Sequence, residues 1–164
     1  MIKNPRVSAA TLVALGTLAV GANSASAASN RVAVKASFSG RAQITSQATT
    51  SFAGAGVASH MGRIVTAGHA DITGFDSSCP GGVANVNTET LIAANGDKLT
   101  IASQDVACPT GPGQYHGTGQ WTVTGGTGRF GSAAGRGTYD GSADFNATTF
   151  TITLTGTLVI GTDS

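Results

Sequence analysis

The residues of this sequence that could carry acid–base or metal chemistry are few and widely spaced. The histidines are His60, His69 and His116, and the only glutamate is Glu89. Metal sites that can be read from sequence need close ligand pairs such as H-x-H or H-E-x-x-H, and neither spacing occurs. The sequence therefore predicts no metal site, and no motif in it predicts a bound cofactor.

Three polar residues are candidates for an acid or base in the protein interior. Glu89 alternates with Leu91, Asp105 alternates with Ile101, and His60 continues the apolar face of the segment before it. If those faces point inward, burial would shift the pKa of each group and make it a candidate catalyst. The opposite face of the segment with Glu89 is also partly apolar, so the reverse orientation stays open.

The elements that must position these groups are β-strands. Apolar and polar residues alternate with a period of two, which is typical of half-buried antiparallel strands. In the last segment Leu154 is predicted to face inward and the threonines outward, and Trp121 is predicted in the core. Asn95-Gly96 marks a tight hairpin. The pattern predicts about eight strands in all. Five cover residues 32–44, 52–60, 63–73, 83–93 and 98–106, and three more lie between 115 and 160.

The sequence predicts an all-β fold, a single antiparallel barrel of about eight strands. Short connections and the absence of a helical pattern favour sequential pairing, and closure into a barrel removes exposed strand edges. Many glycines lie within strands, as the bending of a small barrel requires. A β-sandwich is the alternative. A barrel of this size is either filled by side chains or holds one small ligand.

The two cysteines, Cys79 and Cys108, lie just beyond the open end of the hairpin that turns at Asn95-Gly96. This position brings them close together, and an even cysteine number in a secreted chain usually means a disulfide. We expect a Cys79–Cys108 bond.

The first 27 residues have the pattern of a secretory signal peptide. Lys3 and Arg6 precede a short apolar run, and an A-x-A cleavage signal, residues 25–27, follows it. The prediction is therefore a signal peptide over 1–27, a β-barrel domain over 28–164 and a secreted protein. The apolar run is short for a membrane anchor, so no membrane attachment is expected after cleavage.

Composition excludes one class of partner. Without Lys3 and Arg6 the chain keeps seven basic and eight acidic residues, which gives a formal net charge near minus one. Nucleic-acid binding needs a basic surface, and no basic cluster is present. The oligomeric state is left open by the sequence.

A glycine-rich corner, residues 125–137 with the sequence GGTGRFGSAAGRG, joins two of the predicted strands. It is predicted to be a structural clamp with a helical turn, in which Phe130 plugs one end of the barrel and Arg129 stays solvated. The residues assigned to this corner are Gly125, Gly126, Gly128, Phe130 and Gly131.

This corner resembles that of the allene oxide cyclase and dirigent-like barrels, and small secreted bacterial proteins of undefined function are similar along most of the chain. The resemblance implies an eight-stranded barrel with an apolar interior. Members of that group cyclise an unsaturated fatty-acid epoxide or steer the coupling of phenol radicals. Their catalytic side chains lie inside the barrel, and none can be matched to a position in this sequence.

Two functions follow as expectations. The first is a binding or structural module for an undefined small, apolar ligand outside the cell. The alternative is a cyclase or dirigent-like enzyme that acts on an apolar small molecule in the barrel lumen, which needs an open interior with at least two polar groups converging in it.

Overall fold

The computed structural model describes residues 30–161 of the chain, and the predicted signal peptide lies outside the described residues. The described part is built from eight strands and one short 3₁₀ helix, Gly128–Phe130. The strands are β1 (Asn30–Ile44), β2 (Thr49–Ala58), β3 (Gly62–Asp76), β4 (Gly82–Ala93), β5 (Lys98–Gly111), β6 (Gln114–Gly126), β7 (Ala134–Asp144) and β8 (Thr149–Ile160).

The strands form a closed antiparallel barrel in chain order, because β8 also pairs with β1. This last pairing runs from Arg41 opposite Thr149 to Asn30 opposite Ile160. The prediction of a barrel of about eight strands is confirmed, and the sandwich alternative is wrong. Closure leaves every strand paired on both sides, so the backbone hydrogen bonds of the sheet are satisfied without a free edge.

Alternation along each strand decides which side chains fill the barrel. On β8, Leu154 is buried, whereas Thr151 is exposed. Trp121 on β6 is also buried, and its indole N–H donates to the Thr155 carbonyl at 3.3 Å. The predicted faces of both strands are therefore confirmed.

Leu154→Ala should lower the free energy of unfolding by about 2–5 kcal/mol, the usual range for a buried leucine. Thr151→Ala on the exposed face of the same strand should cost less than about 1 kcal/mol. Urea denaturation of both variants measures the two values. Equal losses would show that the barrel of the folded protein does not bury the face of Leu154.

Strand glycines allow neighbouring backbones to approach closely in this narrow barrel. A Cβ at Gly56 would collide with the Ser37 carbonyl oxygen of the neighbouring strand, and one at Gly137 would collide with the Thr155 carbonyl oxygen. These collisions explain in steric terms why glycine occupies inward strand positions here.

The glycine corner contains the predicted helical turn, the 3₁₀ helix Gly128–Phe130. Gly128 has a positive φ of 56°, which only glycine adopts easily. A Cβ at Gly126 would collide with the Phe130 carbonyl oxygen, whereas Gly125 has open space around it and Gly131 has an ordinary helical φ of −58°. Of the four glycines assigned to the corner, Gly126 and Gly128 are thus required by the backbone geometry.

Several strand boundaries differ from the sequence prediction; β5, for example, continues past the predicted end at 106 to Gly111. β3 continues to Asp76 through a bulge between Ile72 and Gly74, so the predicted loop over 74–82 is shorter. β2 ends at Ala58, and His60 lies in the following turn with a φ of 64°. The prediction that His60 continues the inward face of β2 is wrong, because the turn breaks the alternation and leaves the side chain exposed.

The Cys79–Cys108 disulfide is present, with Cα atoms 6.0 Å apart. It links the β3–β4 loop to β5 and closes a loop with a sequence separation of 29. The predicted pairing is confirmed.

Replacing both cysteines by alanine should cost roughly 3–4 kcal/mol of stability, because the open chain regains the entropy of a loop of this length when it unfolds. Guanidinium denaturation of the double variant, compared with the oxidised parent, measures the loss. A double variant as stable as the parent would contradict this result.

Candidate functional site

The lumen of the barrel is divided into a filled half and an open half. The filled half lies at the closed end, which we define as the end with the β4–β5 turn and the 3₁₀ corner. Phe130 is fully buried there, as predicted for the plug, and Trp121 and Leu158 are almost fully buried. Arg129 lies above the plug, with its guanidinium carbon 5.0 Å from the Phe130 ring centroid and its Nε 3.4 Å from an Asp97 carboxylate oxygen. Its side chain keeps 43% exposure, in agreement with the predicted solvated arginine.

The open half is a cavity of about 250 Å³ at the other end of the barrel, which we call the lumen cavity. Its mouth is framed by the β1–β2 turn at 45–48. Its walls are mainly aromatic and aliphatic, and Gly117 and Gly141 line it at inward strand positions where a larger side chain would occupy the space. The aromatic residues that line it are Phe52, Tyr115, Tyr139, Phe145 and Phe150.

Polar side chains from two adjacent strands form the floor of the lumen cavity. The Asn87 amide on β4 donates to Asp105 Oδ1 at 2.6 Å and to Ser103 Oγ at 2.9 Å, and both acceptors are on β5. The Asn85 amide donates to Asp105 Oδ2 at 3.2 Å. Asp105 is only 7% exposed, so this network holds its carboxyl group in place at the bottom of the cavity.

Glu89 is the next inward residue of β4 toward the closed end, and it is 2% exposed. Neither carboxyl oxygen has a hydrogen-bond partner among the described residues, and Thr66 Oγ1 is also unpartnered among them. Burial raises the pKa of Glu89 to about 8, because a charged carboxylate loses its hydration in the interior. Glu89 is therefore predominantly protonated at neutral pH.

Two further groups of the cavity have shifted pKa values. Burial raises the pKa of Asp105, and the hydrogen bonds from Asn87 and Asn85 oppose that shift. The pKa of Tyr139 is raised mainly by burial and further by the negative charges of Asp105, Glu89 and Asp140. The phenol of Tyr139 thus stays a neutral hydrogen-bonding group.

The structure places Glu89 and Asp105 inside the barrel and His60 outside it. The His60 Nε2 lies 3.1 Å from the Ala33 carbonyl oxygen, at the closed end and away from the lumen cavity. His69 and His116 lie on the outer surface, each with an aspartate carboxylate 3.6 Å from its Nε2. In residues 30–161 no group of three His, Cys, Asp or Glu side chains could hold a metal ion.

The sequence prediction did not assign Asn85, Asn87 or Tyr139 to the site. Both asparagines alternate with Glu89, so their shared face was the available signal. Tyr139 alternates with Gly137 and Gly141, and these inward glycines leave space for its ring. A Cβ at position 141 would lie only 2.6 Å from the Tyr139 phenol oxygen.

The β3–β4 hairpin turns at the open end of the barrel. Ile72 lines the cavity and is 43% exposed. Phe75 pairs with Val83, which also lines the cavity, so Phe75 lies on the lumen face of the hairpin. Phe75 is 94% exposed and is not among the residues that line the lumen cavity.

Comparison with known proteins finds no matching family model, no similar curated protein and no similar solved structure. The resemblance to the allene oxide cyclase and dirigent-like barrels stays a prediction that rests on the corner at 125–137. Within residues 30–161, no helix is long and apolar enough to cross a bilayer.

Proposed function

We propose that this chain is a secreted protein that binds one small, mainly apolar molecule in its lumen cavity. The observation that carries the proposal is the half-open barrel, in which an aromatic cavity ends in a fixed polar floor. Ligand sites commonly combine apolar walls with a few polar groups that orient the ligand. A barrel with only a structural role has no need for an uncovered cavity next to a buried hydrogen-bond network.

The size of the cavity limits the ligand. A volume of about 250 Å³ exceeds the roughly 150 Å³ of an apolar cavity that binds benzene. It is slightly below the range of about 300–1,000 Å³ that is usual for pockets of drug-sized ligands. A molecule with one ring and a short polar substituent fits inside, and a longer ligand would extend through the mouth.

Secretion is supported by the A-x-A signal at 25–27, and the Cys79–Cys108 bond is consistent with an extracellular protein. The mass of the intact secreted protein should correspond to residues 28–164. A mass that includes residues 1–27 would contradict cleavage.

Binding can be tested with 2-phenylethanol as a neutral, one-ring probe. Titration followed by amide NMR shifts should show saturable changes at the cavity-lining residues of β4, β5 and β7. Ala70→Leu places a larger side chain in the cavity and should weaken binding roughly tenfold or more by occupying the space of the ring.

The matched control is Ala67→Leu, an exposed position on the outer face of the same strand. It should bind the probe as the parent does. If Ala70→Leu and Ala67→Leu bind equally well, the probe does not occupy the lumen and the proposed function is wrong.

An enzyme acting on an apolar small molecule is the second candidate function. Its support is the convergence of Asp105 and Tyr139 on one open cavity, since acid–base catalysis needs titratable groups beside the substrate. Incubation with an unsaturated fatty-acid epoxide should then yield an optically active cyclic product, and Asp105→Asn should abolish the excess of one enantiomer. A racemic product from the parent protein would exclude this activity.

A further inference from the structure

We propose that the ligand of the lumen cavity is an organic ammonium ion, a protonated amine carried on an apolar body of about one ring. This inference rests on the proposed binding function and names the chemical class that the cavity selects. It follows from three properties of the cavity: its charge, its free hydrogen-bonding groups and its aromatic walls.

The charge of the cavity comes from one residue. Asp105 is the only acidic or basic side chain among the residues that line it. All seven Lys and Arg side chains in the described part of the chain are exposed, so none of them neutralises Asp105 in the lumen. A buried carboxylate without a cation is costly, and a ligand that brings a positive charge offsets part of that cost.

The free hydrogen-bonding groups on the floor of the lumen cavity are acceptors, so they favour a ligand that donates hydrogen bonds. The Asn87 amide uses both N–H groups, on Asp105 and on Ser103, so its carbonyl oxygen remains as an acceptor. The Asp105 carboxylate has lone pairs beyond the two amide hydrogen bonds that it accepts. A primary ammonium group carries three N–H donors and no acceptor, which complements a floor of this kind.

The aromatic walls add a second attraction for a cation. Phe52 and Phe150 lie with ring centroids 5.3 Å apart, and Tyr115 and Phe145 with centroids 5.8 Å apart. The Tyr139 ring lines the same cavity. Aromatic rings attract ammonium ions through their quadrupoles, most strongly where water is excluded.

The same features disfavour anionic ligands. A ligand carboxylate in the cavity would lie near the like charge of Asp105 and the electron-rich faces of the aromatic rings. No cation in the described lumen is present to neutralise its charge. Glu89, deeper in the barrel, is also a carboxyl group and offers no positive charge either. A ligand with an acidic group would have to keep that group outside the mouth.

The test uses three probes of similar size on the folded protein: 2-phenylethylamine, 2-phenylethanol and phenylacetate. At neutral pH these are a cation, a neutral molecule and an anion. Calorimetric titration should show the amine binding roughly tenfold or more tightly than the alcohol, and phenylacetate binding more weakly than both.

Asp105→Asn keeps the shape of the side chain and removes its charge. This variant should bind the amine roughly tenfold or more weakly, and it should lose less affinity for the alcohol than for the amine. Asp140→Asn is the control, because Asp140 is on the outer face of β7 with 64% exposure. It should leave both affinities unchanged.

The outcomes separate this inference from the function on which it rests. If the alcohol binds in the lumen as tightly as the amine, the ammonium inference is wrong and the binding function stands. If the amine binds but Asp140→Asn weakens it as much as Asp105→Asn, the probe is on the surface and the inference is again wrong. If no probe binds, both are overturned. The probe comparison on the parent protein gives a result even if Asp105→Asn does not fold.

Discussion

Phe130→Ala should lower the free energy of unfolding by roughly 3–5 kcal/mol, the range for removing a fully buried phenylalanine. Phe130 is 0% exposed and closes the filled end of the lumen beneath the 3₁₀ helix. Because the virtual Cβ of Gly126 would already collide with the Phe130 carbonyl oxygen, the backbone on that side of the corner is held in close contact and cannot easily collapse into the vacated space. Guanidinium denaturation measures the loss.

Arg129→Ala is the matched control in the same corner. Arg129 has partners in Asp97 and the Phe130 ring, but its side chain is 43% exposed, and partly exposed ion pairs contribute at most about 1 kcal/mol. We therefore expect a change below about 1 kcal/mol. If Arg129→Ala proves more damaging than Phe130→Ala, the corner is not a structural clamp.

The second large effect is a loss of stability as the pH rises, caused by Glu89. The pKa of its carboxyl group is near the ordinary value of 4.5 in the unfolded chain and about 8 in the folded one. Between these values the native state holds a proton that the unfolded state has released, so stability falls with rising pH. The stability that protonated Glu89 contributes is fully present below pH 4.5 and is lost as the pH rises to 8. Above pH 8 the residue is ionised in both states, so the stability changes no further. One pKa unit corresponds to about 1.4 kcal/mol, so the total is on the order of 3–5 kcal/mol.

Glu89→Gln should remove this pH dependence, because the amide cannot ionise. At pH 8 the variant should be more stable than the parent by several kcal/mol, and near pH 4.5 the two should be similar. Asp105 also has a raised pKa and changes stability in the same direction, so the difference between variant and parent isolates Glu89. Parallel stability curves for the two proteins from pH 4.5 to 8 would contradict a buried, protonated Glu89.

Much of the fold could be predicted from the sequence because its signals are local. Alternation on β8 predicts that Leu154 faces inward. Asn95-Gly96 predicts a turn, and the structure has one there, formed by the four residues 94–97 between β4 and β5. The disulfide followed from that hairpin, since its open end brings Cys79 and Cys108 together. Phe130 was predicted as the plug because it is the only large apolar residue in a corner of small ones.

The site was only partly predictable, because it depends on how all the strands close. Sequence alternation placed Glu89 and Asp105 on faces that could point inward, but only closure of the barrel decides between the two orientations. His60 was misplaced because its left-handed turn interrupts an alternating pattern. The division of the lumen into filled and open halves depends on where Trp121 and the inward glycines meet across the barrel, and single strands carry no such information.

The most direct test of a ligand-binding lumen is a crystal structure of the protein soaked with 2-phenylethylamine. We predict that the ring lies in the lumen cavity between Phe52 and Tyr139, and that the ammonium nitrogen is within hydrogen-bond distance of an Asp105 carboxylate oxygen. A saturating soak that leaves the lumen without the amine, or an amine bound only on the outer surface, would contradict the account.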